Sequence, residues 1–403
     1  MSTYTDHITP AEPTQLSPEN GPWSMYLHWP FCPYRCHFCP FIAYAGRDPL
    51  MSRYHYALMR ELERYAREQE RGQIETIFIG GGTPSTWPDE LLLDMAGTLE
   101  GLFKKSPKLE MSIEVNPGTV RLEQLPLWRS AGINRMSIGV QSLNEGVLQQ
   151  LNRHQSTQQV VDLLEAARHH FDNISVDLII GLPGVTDDQW RSLISGIGQW
   201  PIQHVSVYFL TVHEGTALAY RVQSKDIFLP ADDAVVDLYL WTVATLAEQG
   251  FEQYEISNFA RPGFRSRHNS AYWKRTPYRG FGVGAWSFDG SYRFANVRTI
   301  EEYLQRMERD QDVIETREQL SSEQIWLETV MLALRQRAGI AHTVLFKWVY
   351  GERMTQLASL LEQLMAAGHV NKNVDHYQLT PSGLAMANEI VIRLVEGSKE
   401  ISL

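Results

Sequence analysis

The sequence predicts an α/β protein: a partial (β/α)6 barrel of the TIM type, followed by a small C-terminal winged-helix-like domain. Two observations support this prediction. Short apolar runs of strand length alternate with amphipathic helical stretches, which is typical of a parallel sheet with right-handed crossovers. The last part of the chain instead carries helices followed by a short polar hairpin. Because six repeats are too few for a closed eight-stranded barrel, we expect an open one.

Six apolar runs have the length and β-branched content of buried strands. They are MYLHW (25–29), TIFIG (76–80), MSIEV (111–115), RMSIGV (135–140), ISVDLII (174–180) and HVSVYFL (204–210). Helices are predicted between them, at 51–71, 88–104, 121–130, 157–170 and 186–199. In a fold of this type, chemically active residues gather at the carboxyl ends of the strands.

The chain divides into three parts by composition and pattern. Residues 1–22 are rich in Pro, Ser, Thr and Glu without an apolar period, so we expect a flexible leader. Residues 23–300 are predicted to form the barrel with an extension, and residues 301–403 to form the C-terminal domain. That last part carries no Lys/Arg stripe, which argues for packing or partner binding rather than for a DNA-binding module.

Charge and hydropathy exclude several classes of function. The net charge of −11 disfavours nucleic acid and anionic membranes as partners. No apolar run is long enough to span a bilayer, and the first residues lack the features of a signal peptide. We therefore expect a cytoplasmic protein with no transmembrane segment.

The cysteines indicate a metal centre. The chain has only Cys32, Cys36 and Cys39, which follow directly on the first predicted strand. An odd number of cysteines within eight residues does not fit a disulfide framework, whereas three thiolates on one short loop suit an iron–sulfur cluster. With no fourth cysteine, one iron is left open to a small molecule. A zinc loop completed by His28 or His37 is the alternative.

Glycines and polar residues stand where the predicted strands end. Consecutive glycines allow a ligand to approach the backbone, and polar side chains on buried strands are costly unless they have partners. A shared polar ligand is therefore predicted for Glu114, Gln141 and Asp177, and a close backbone approach for Gly80, Gly81 and Gly82, which Thr83 follows.

The Cys-x3-Cys-x2-Cys spacing resembles that of the radical S-adenosylmethionine (SAM) superfamily. Over nearly the whole chain the later motifs resemble the coproporphyrinogen III oxidase-like branch, HemN and HemW, with HemW the closest. The resemblance implies that Cys32, Cys36 and Cys39 hold a [4Fe-4S] cluster whose open iron is chelated by SAM. It also implies an enzyme that cleaves SAM reductively, supplied with electrons by a reductant such as flavodoxin or ferredoxin.

The resemblance also implies roles for single residues. The run Gly80–Thr83 would bind the methionyl ammonium of SAM, and Arg153 the methionyl carboxylate. Gln141 and Asp177 would suit hydroxyl or carboxylate contacts, and Glu114 a contact near the ribose. Tyr26 fits the family pattern as well, and Phe38, between the second and third cysteines, would pack by the adenine or shield the cluster from water.

A second distinctive motif is HNxxYW, formed by His268, Asn269, Tyr272 and Trp273. It resembles the HemW branch, where this motif has been associated with haem binding. Histidine is a natural axial ligand of haem iron, so His268 is a candidate haem ligand. A role in the scaffold or in a substrate pocket is the alternative for this residue.

Three positions depart from the family pattern. Phe41 stands where the decarboxylating oxidases carry a further cysteine, Pro40 where HemW-like chains usually have Asp, and Trp286 where a His is usual. Two hypotheses follow. The first is a HemW-like haem chaperone that passes haem to acceptor proteins. The second is a class C radical SAM methyltransferase or cyclopropanase that uses two SAM molecules on a specialised metabolite.

Overall fold

The computed structural model describes residues 23–68, 72–347, 349 and 351–396; the expected leader, 1–22, lies outside them. The strands of the described part are bounded as follows: β1 (Trp23–Trp29), β2 (Phe31–Cys32), β3 (Tyr44–Ala45), β4 (Ile74–Gly81), β5 (Lys105–Val115), β6 (Arg135–Gln141), β7 (Ile174–Ile180), β8 (His204–Phe209), β9 (Glu252–Gln253), β10 (Asn258–Ala260), β11 (Tyr278–Phe281), β12 (Trp286–Phe288), β13 (Tyr292–Asn296), β14 (Ile314–Gln319), β15 (Ile340–Ala341), β16 (Val370–Lys372) and β17 (His376–Leu379).

The predicted open barrel is confirmed. Strands β1, β4, β5, β6, β7 and β8 lie side by side in this order, and each neighbouring pair is parallel. The six predicted apolar runs are these six strands. The sheet ends at β14 on one side and at β9 on the other, and these two edges are not paired with each other. The barrel therefore stays open, as six βα repeats require.

The helices of the described part alternate with these strands. They are α1 (Met51–Glu68), α2 (Asp89–Leu102), α3 (Gln124–Ser130), α4 (Glu145–Gln150), α5 (Thr157–Ala167), α6 (Asp187–Gly196), α7 (Ala217–Gln223), α8 (Asp232–Glu248), α9 (Arg267–Trp273), α10 (Ile300–Glu308), α11 (Ser322–Leu334), α12 (His342–Leu345), α13 (Glu352–Ala366), α14 (Pro381–Ala385) and α15 (Ala387–Glu396), with short 3-10 turns at Asp48–Leu50, Pro84–Thr86, Pro117–Thr119 and Ile197–Gln199. Each of the five predicted helices is present. Residues 69–71, the end of the first one, lie outside the described residues.

The sheet is wider than the sequence predicts. Strand β11 pairs in parallel with the outer edge of β1, and β12, β13 and β14 continue the sheet in antiparallel fashion. This extension is joined to α1 by the buried carboxylate of Glu61. The carboxylate accepts hydrogen bonds from Gly282 N at 2.8 Å, Tyr303 Oη at 2.7 Å and Asn296 Nδ2 at 2.8 Å. A partner more than 200 residues away leaves no local pattern, so β11 was not predicted.

The C-terminal part has an apolar core of its own, which runs from Trp326 to Leu394. Its helices surround a three-stranded sheet in the order β15, β17, β16, with β16 and β17 forming an antiparallel hairpin. The sequence analysis began this domain at residue 301. However, β14 still pairs with β13 of the large sheet. From this pairing we propose a boundary near residue 320, and the predicted boundary at residue 301 stays untested.

Within the described residues, no helix combines the length and the apolar character that crossing a membrane requires.

Candidate functional site

A cavity of about 520 Å³, here called the outer cavity, lies at the carboxyl ends of the parallel strands. It gathers all the predicted site residues except Tyr26, Gly80 and His268. The residues that line it include Cys32, Cys36, Phe38, Cys39, Gly81, Gly82, Thr83, Glu114, Gln141, Arg153 and Asp177. These residues lie on five strands and in the loops next to them, and the first and the last, Cys32 and Asp177, are 145 positions apart in the sequence. The parallel fold therefore brings them together.

The glycine run is required by its surroundings. A Cβ atom on Gly82 would lie 2.7 Å from the carbonyl oxygen of Phe31 and 3.0 Å from Cys32 Sγ. Gly81 has a φ of +119°, and a Cβ there would meet the ring of His28 at 2.7 Å. At Gly80 a Cβ would lie 2.9 Å from the ring of Tyr26. The absence of side chains lets the strand end pass directly beneath the cysteine loop.

The three cysteines face the outer cavity from one loop. Cys32 is buried and its Sγ accepts a hydrogen bond from Thr83 Oγ1 at 3.2 Å. Burial raises the pKa of the Cys32 thiol to about 11, and the Thr83 hydrogen bond opposes this rise. Burial also raises the pKa of Cys39. Coordination to iron deprotonates a thiol outright, so the loop is suited to a metal centre that supplies positive charge.

The geometry disfavours a zinc loop completed by His28. His28 is buried, and its Nε2 and Nδ1 atoms contact the carbonyl oxygen of Ile42 and Tyr26 Oη, both at 2.9 Å. In the described part of the chain, no three His, Cys, Asp or Glu side chains converge on one metal-ion position. A single zinc ion needs all its ligands within about 2.3 Å of one point, whereas a cluster spreads its thiolate ligands over several irons. The cysteine loop therefore fits a cluster better than a single ion.

Gln141 and Arg153 line the outer cavity together with the glycines of β4. Gln141 is the last residue of β6 and has a φ of 63°, a conformation that is uncommon outside glycine and that concentrates at functional sites. Arg153 donates from Nη2 to the carbonyl oxygen of Gly139 and from Nε to Gln155 Oε1 at 3.0 Å. A Cβ on Gly139 would lie 2.9 Å from both Gln141 Nε2 and Arg153 Nη2. Gly139 thus leaves room for both side chains.

Two carboxyl groups stand between the strands. Glu114 Oε2 accepts a hydrogen bond from Gly81 N at 3.1 Å, and Asp177 Oδ2 accepts one from Ser137 Oγ at 3.0 Å. Burial raises the pKa of Glu114 to about 8, helped by the nearby Asp177 carboxylate, and burial also raises the pKa of Asp177. Among the described residues, the buried Oδ1 of Asp177 has no hydrogen-bond partner. An acceptor left unpaired in this wall is suited to a ligand that donates a hydrogen bond.

The raised pKa of Glu114 makes the stability of the cluster-free protein depend on pH. The ordinary value is 4.5, so between 4.5 and about 8 the folded protein keeps a proton that the unfolded chain releases. The stabilisation is complete below pH 4.5 and is lost as pH rises towards 8. We expect the free energy of unfolding to fall by on the order of 5 kcal/mol across this range. Glu114→Gln should remove most of this dependence.

Urea denaturation of the wild-type and Glu114→Gln chains, at several pH values between the two pKa values, measures this effect. An equally steep pH dependence in both chains would show that the proton is held elsewhere.

A second, deeper cavity of about 170 Å³, here called the inner cavity, adjoins the outer one inside the barrel. Glu114, Ser137, Asp177 and Tyr208 line both cavities. Residues that line only the inner cavity include Tyr26, Phe78, Arg135, Ser206, His268, Asn269 and Tyr272. Two of the three predicted site residues missing from the outer cavity, Tyr26 and His268, are therefore found here.

His268 lies at the amino-terminal end of the barrel, away from the cysteines. The side chain is buried, and its Nδ1 and Nε2 atoms contact Thr76 Oγ1 at 2.8 Å and Tyr272 Oη at 2.9 Å. The backbone nitrogens of Arg267 and His268 both donate to the Glu110 carboxylate at 3.0 Å. Burial lowers the pKa of His268 to about 3, so the ring is neutral. With both nitrogens engaged, the geometry favours the scaffold or pocket role over haem ligation.

Two of the three departures from the family pattern lie at the outer cavity, and the third does not. Pro40 and Phe41 line the mouth of the outer cavity, and Phe41 is 62% exposed. Trp286 is half exposed on β12, which pairs with β13 in the extension of the sheet, and it does not line the outer cavity. Only the first two positions can therefore contact a ligand of the outer cavity.

The sequence analysis missed the inward-facing residues before Gln141. Arg135, Ser137, Gly139 and Gln141 are alternate residues of β6, so their side chains share one face of the strand. Since Gln141 was predicted to belong to the site, counting back along the strand in steps of two would also have identified Ser137 and Arg135 as residues that face it.

The open parallel barrel, with three cysteines above its carboxyl ends and a glycine run beneath them, defines the radical SAM class of proteins. The sequence signature of the Radical SAM superfamily matches residues 26–195, and that of the HemN C-terminal domain matches residues 320–386.

Two relatives narrow the class. "Heme chaperone HemW" of Bacillus subtilis (strain 168) is 33% identical over 371 residues, which are 91% of this chain and 97% of the relative. "Heme chaperone HemW" of Mycobacterium tuberculosis (strain ATCC 25618 / H37Rv) is 34% identical over 393 residues, 96% of this chain and 98% of the relative. The chain belongs to the HemW family of radical SAM proteins, which confirms the resemblance read from its motifs.

A solved structure supports the fold. Coproporphyrinogen III oxidase (HemN) from Escherichia coli, a radical SAM enzyme, superposes with a TM-score of 0.81 at 24% identity, covering 93% of this chain and 90% of its own. At this identity the likeness concerns the architecture, including the C-terminal domain.

Proposed function

We propose that this chain binds a [4Fe-4S] cluster through Cys32, Cys36 and Cys39 and binds SAM in the outer cavity. The observation that carries the proposal is that one cavity is lined by all three thiols, the glycine run and a ring of polar side chains. When bound, the cluster supplies one electron for reductive cleavage of SAM. The carboxylate of SAM would be held by the Arg153 guanidinium, because a fork of N–H donors matches carboxylate geometry.

The remaining residues would orient SAM and keep water out. The backbone of Gly81 and Gly82 lines the outer cavity, where it would accept hydrogen bonds from the methionyl ammonium. The unpaired Oδ1 of Asp177 and the amide of Gln141 would accept from or donate to the polar groups of SAM. Phe38 packs among partly buried apolar side chains beside the cavity, where it would cover the adenine.

We further propose that the protein is a haem chaperone that receives haem and passes it to acceptor proteins. The support comes from the relatives, whose names describe this role, and which match the chain over nearly its full length. A reductant such as flavodoxin or ferredoxin would supply electrons to the cluster in the cytoplasm. The comparisons do not favour the methyltransferase alternative. Reductive cleavage of SAM remains part of the proposal.

An anaerobic haem titration, followed by absorbance, tests the chaperone role. We expect stoichiometric haem binding by the wild-type chain. We expect His268→Ala to bind haem with similar affinity, because the buried imidazole already contacts Thr76 and Tyr272 with both nitrogens. The substitution should instead lower the free energy of unfolding by roughly 2–3 kcal/mol, since it leaves a cavity and unpaired hydroxyls.

Loss of haem binding in a His268→Ala chain of unchanged stability would make His268 the haem ligand after all. Absence of haem binding by the wild-type chain would reject the chaperone role.

A further inference from the structure

His213 is an exposed histidine that lines the outer cavity, in the loop 210–216 between β8 and α7. Hydrogen bonds hold the backbone of this loop: Leu210 N donates to the carbonyl oxygen of Ile180 at 3.0 Å, and Thr216 Oγ1 donates to that of His213 at 2.6 Å. The imidazole itself has no hydrogen-bond or ion-pair partner among the described residues. The loop therefore fixes His213 at the cavity and leaves both ring nitrogens available.

The other histidines near the two cavities are already engaged. Both ring nitrogens of His28 have partners, and so do both ring nitrogens of His268. Of the histidines in the described part of the chain, only His213 lines the outer cavity. An imidazole nitrogen is a common axial ligand of haem iron. His213 can bind an iron atom without breaking any existing hydrogen bond.

The mouth of the outer cavity also carries apolar surface and a cation. Phe41 is 62% exposed beside Pro40. Arg35 is exposed, lines the same cavity and donates from Nη2 to the carbonyl oxygen of Phe41 at 3.2 Å, but it forms no ion pair with any described residue. The two carboxyl groups of this cavity belong to Glu114 and Asp177, which also line the inner cavity and so lie on its deep side. The mouth is therefore free of carboxylates.

Haem presents the three matching groups: an iron that accepts an axial nitrogen, a flat apolar ring, and carboxylates that pair with a guanidinium. We propose that haem docks at the mouth of the outer cavity, with His213 as its axial ligand and Arg35 paired with a haem carboxylate. This inference rests on the proposed chaperone function and assigns it a site. A cavity of about 520 Å³ has the size that one ligand fills, so SAM takes the deep part and haem covers the mouth. One exposed face of the ring suits a cargo that is passed on.

Titration of the full-length, anaerobically reconstituted protein with ferric haem, followed by difference absorbance in the Soret region, tests this site. We expect His213→Ala to lower the haem affinity at least about tenfold and to change the Soret band, and we expect added imidazole to restore the wild-type band. His169→Ala is the matched control, because its side chain is 63% exposed and does not line the cavity. This variant should bind haem as the wild type does.

Two further ligands separate ligation of iron from packing and charge. Iron-free protoporphyrin IX gives His213 nothing to ligate, so it should bind equally to the wild type and to His213→Ala. Arg35→Met should weaken haem binding about two- to fivefold, as expected for an exposed ion pair, and should leave the binding of haem dimethyl ester unchanged.

The outcomes distinguish this site from the function on which it rests. Absence of haem binding by the wild type rejects the chaperone function and the site together. Haem binding that His213→Ala leaves unchanged in affinity and spectrum overturns the site alone. If His213→Ala weakens protoporphyrin and haem equally, ligation of the iron by His213 is rejected.

Discussion

Cys36→Ala is expected to abolish assembly of the iron–sulfur cluster. The chain has three cysteines, all on one loop, and the described part offers no other soft ligand in the outer cavity. Two thiolates would leave two irons without protein ligands and open to water. Iron and sulfide content after anaerobic reconstitution should therefore fall to background, together with the brown absorbance, while the circular dichroism spectrum of the chain is unchanged.

His37→Ala is the matched control for this experiment, since His37 adjoins Cys36 on the loop. A cluster site predicts that His37→Ala retains the full iron content, whereas a zinc loop completed by this histidine would lose its metal. A Cys36→Ala chain that still bound iron and sulfide in wild-type amounts would contradict the assignment of the cysteines.

Gly82→Ala is expected to disturb cluster and SAM binding together. An added Cβ would lie 2.7 Å from the Phe31 carbonyl oxygen, 2.9 Å from the Pro30 carbonyl carbon and 3.0 Å from Cys32 Sγ. Two of these are backbone atoms, so the cysteine loop itself has to move. The hydrogen bond of 2.8 Å from Gly82 N to the Trp29 carbonyl oxygen holds the two segments together and prevents an easy adjustment. We expect SAM affinity to fall roughly tenfold or more, measured by equilibrium dialysis.

Gly97→Ala provides the matched control for Gly82→Ala. Gly97 lies inside α2, and a Cβ there would have no neighbour within 4 Å. Alanine is a better helix former, so the control should gain about 0.5–1 kcal/mol of stability without any change in SAM affinity. Equal SAM affinities in the two variants would show that the tight approach at Gly82 is not needed for binding.

The six barrel strands could be predicted because each is a continuous apolar run, as buried parallel strands require. The extension could not be predicted in the same way. Strand β11 reads YRGF, and its Arg279 is buried only because Glu61, on a helix 218 positions earlier, lies 3.6 Å away. The boundary at residue 301 stays a prediction, and β14 next to it has few buried residues and is recognised only by its pairing with β13.

The outer cavity was predictable because its residues stand at strand ends, where a parallel sheet gathers them. The inner cavity was not. His268 and Tyr272 lie on α9, and their proximity to Thr76 and Arg135 depends on how this helix closes the amino-terminal end of the barrel. The motif resemblance suggested that His268 is a haem ligand. The contacts of its two ring nitrogens, which the sequence does not reveal, favour a scaffold or pocket role instead.

The central claim is that the three cysteines hold a cluster with one iron left for SAM. Electron–nuclear double resonance of the reduced, reconstituted protein tests this most directly, using SAM labelled with ¹⁵N in its amino group. The account predicts that SAM changes the electron paramagnetic resonance spectrum of the cluster and that the labelled nitrogen couples to it. An unchanged spectrum with no nitrogen coupling, in protein that retains its iron and sulfide, would contradict the account.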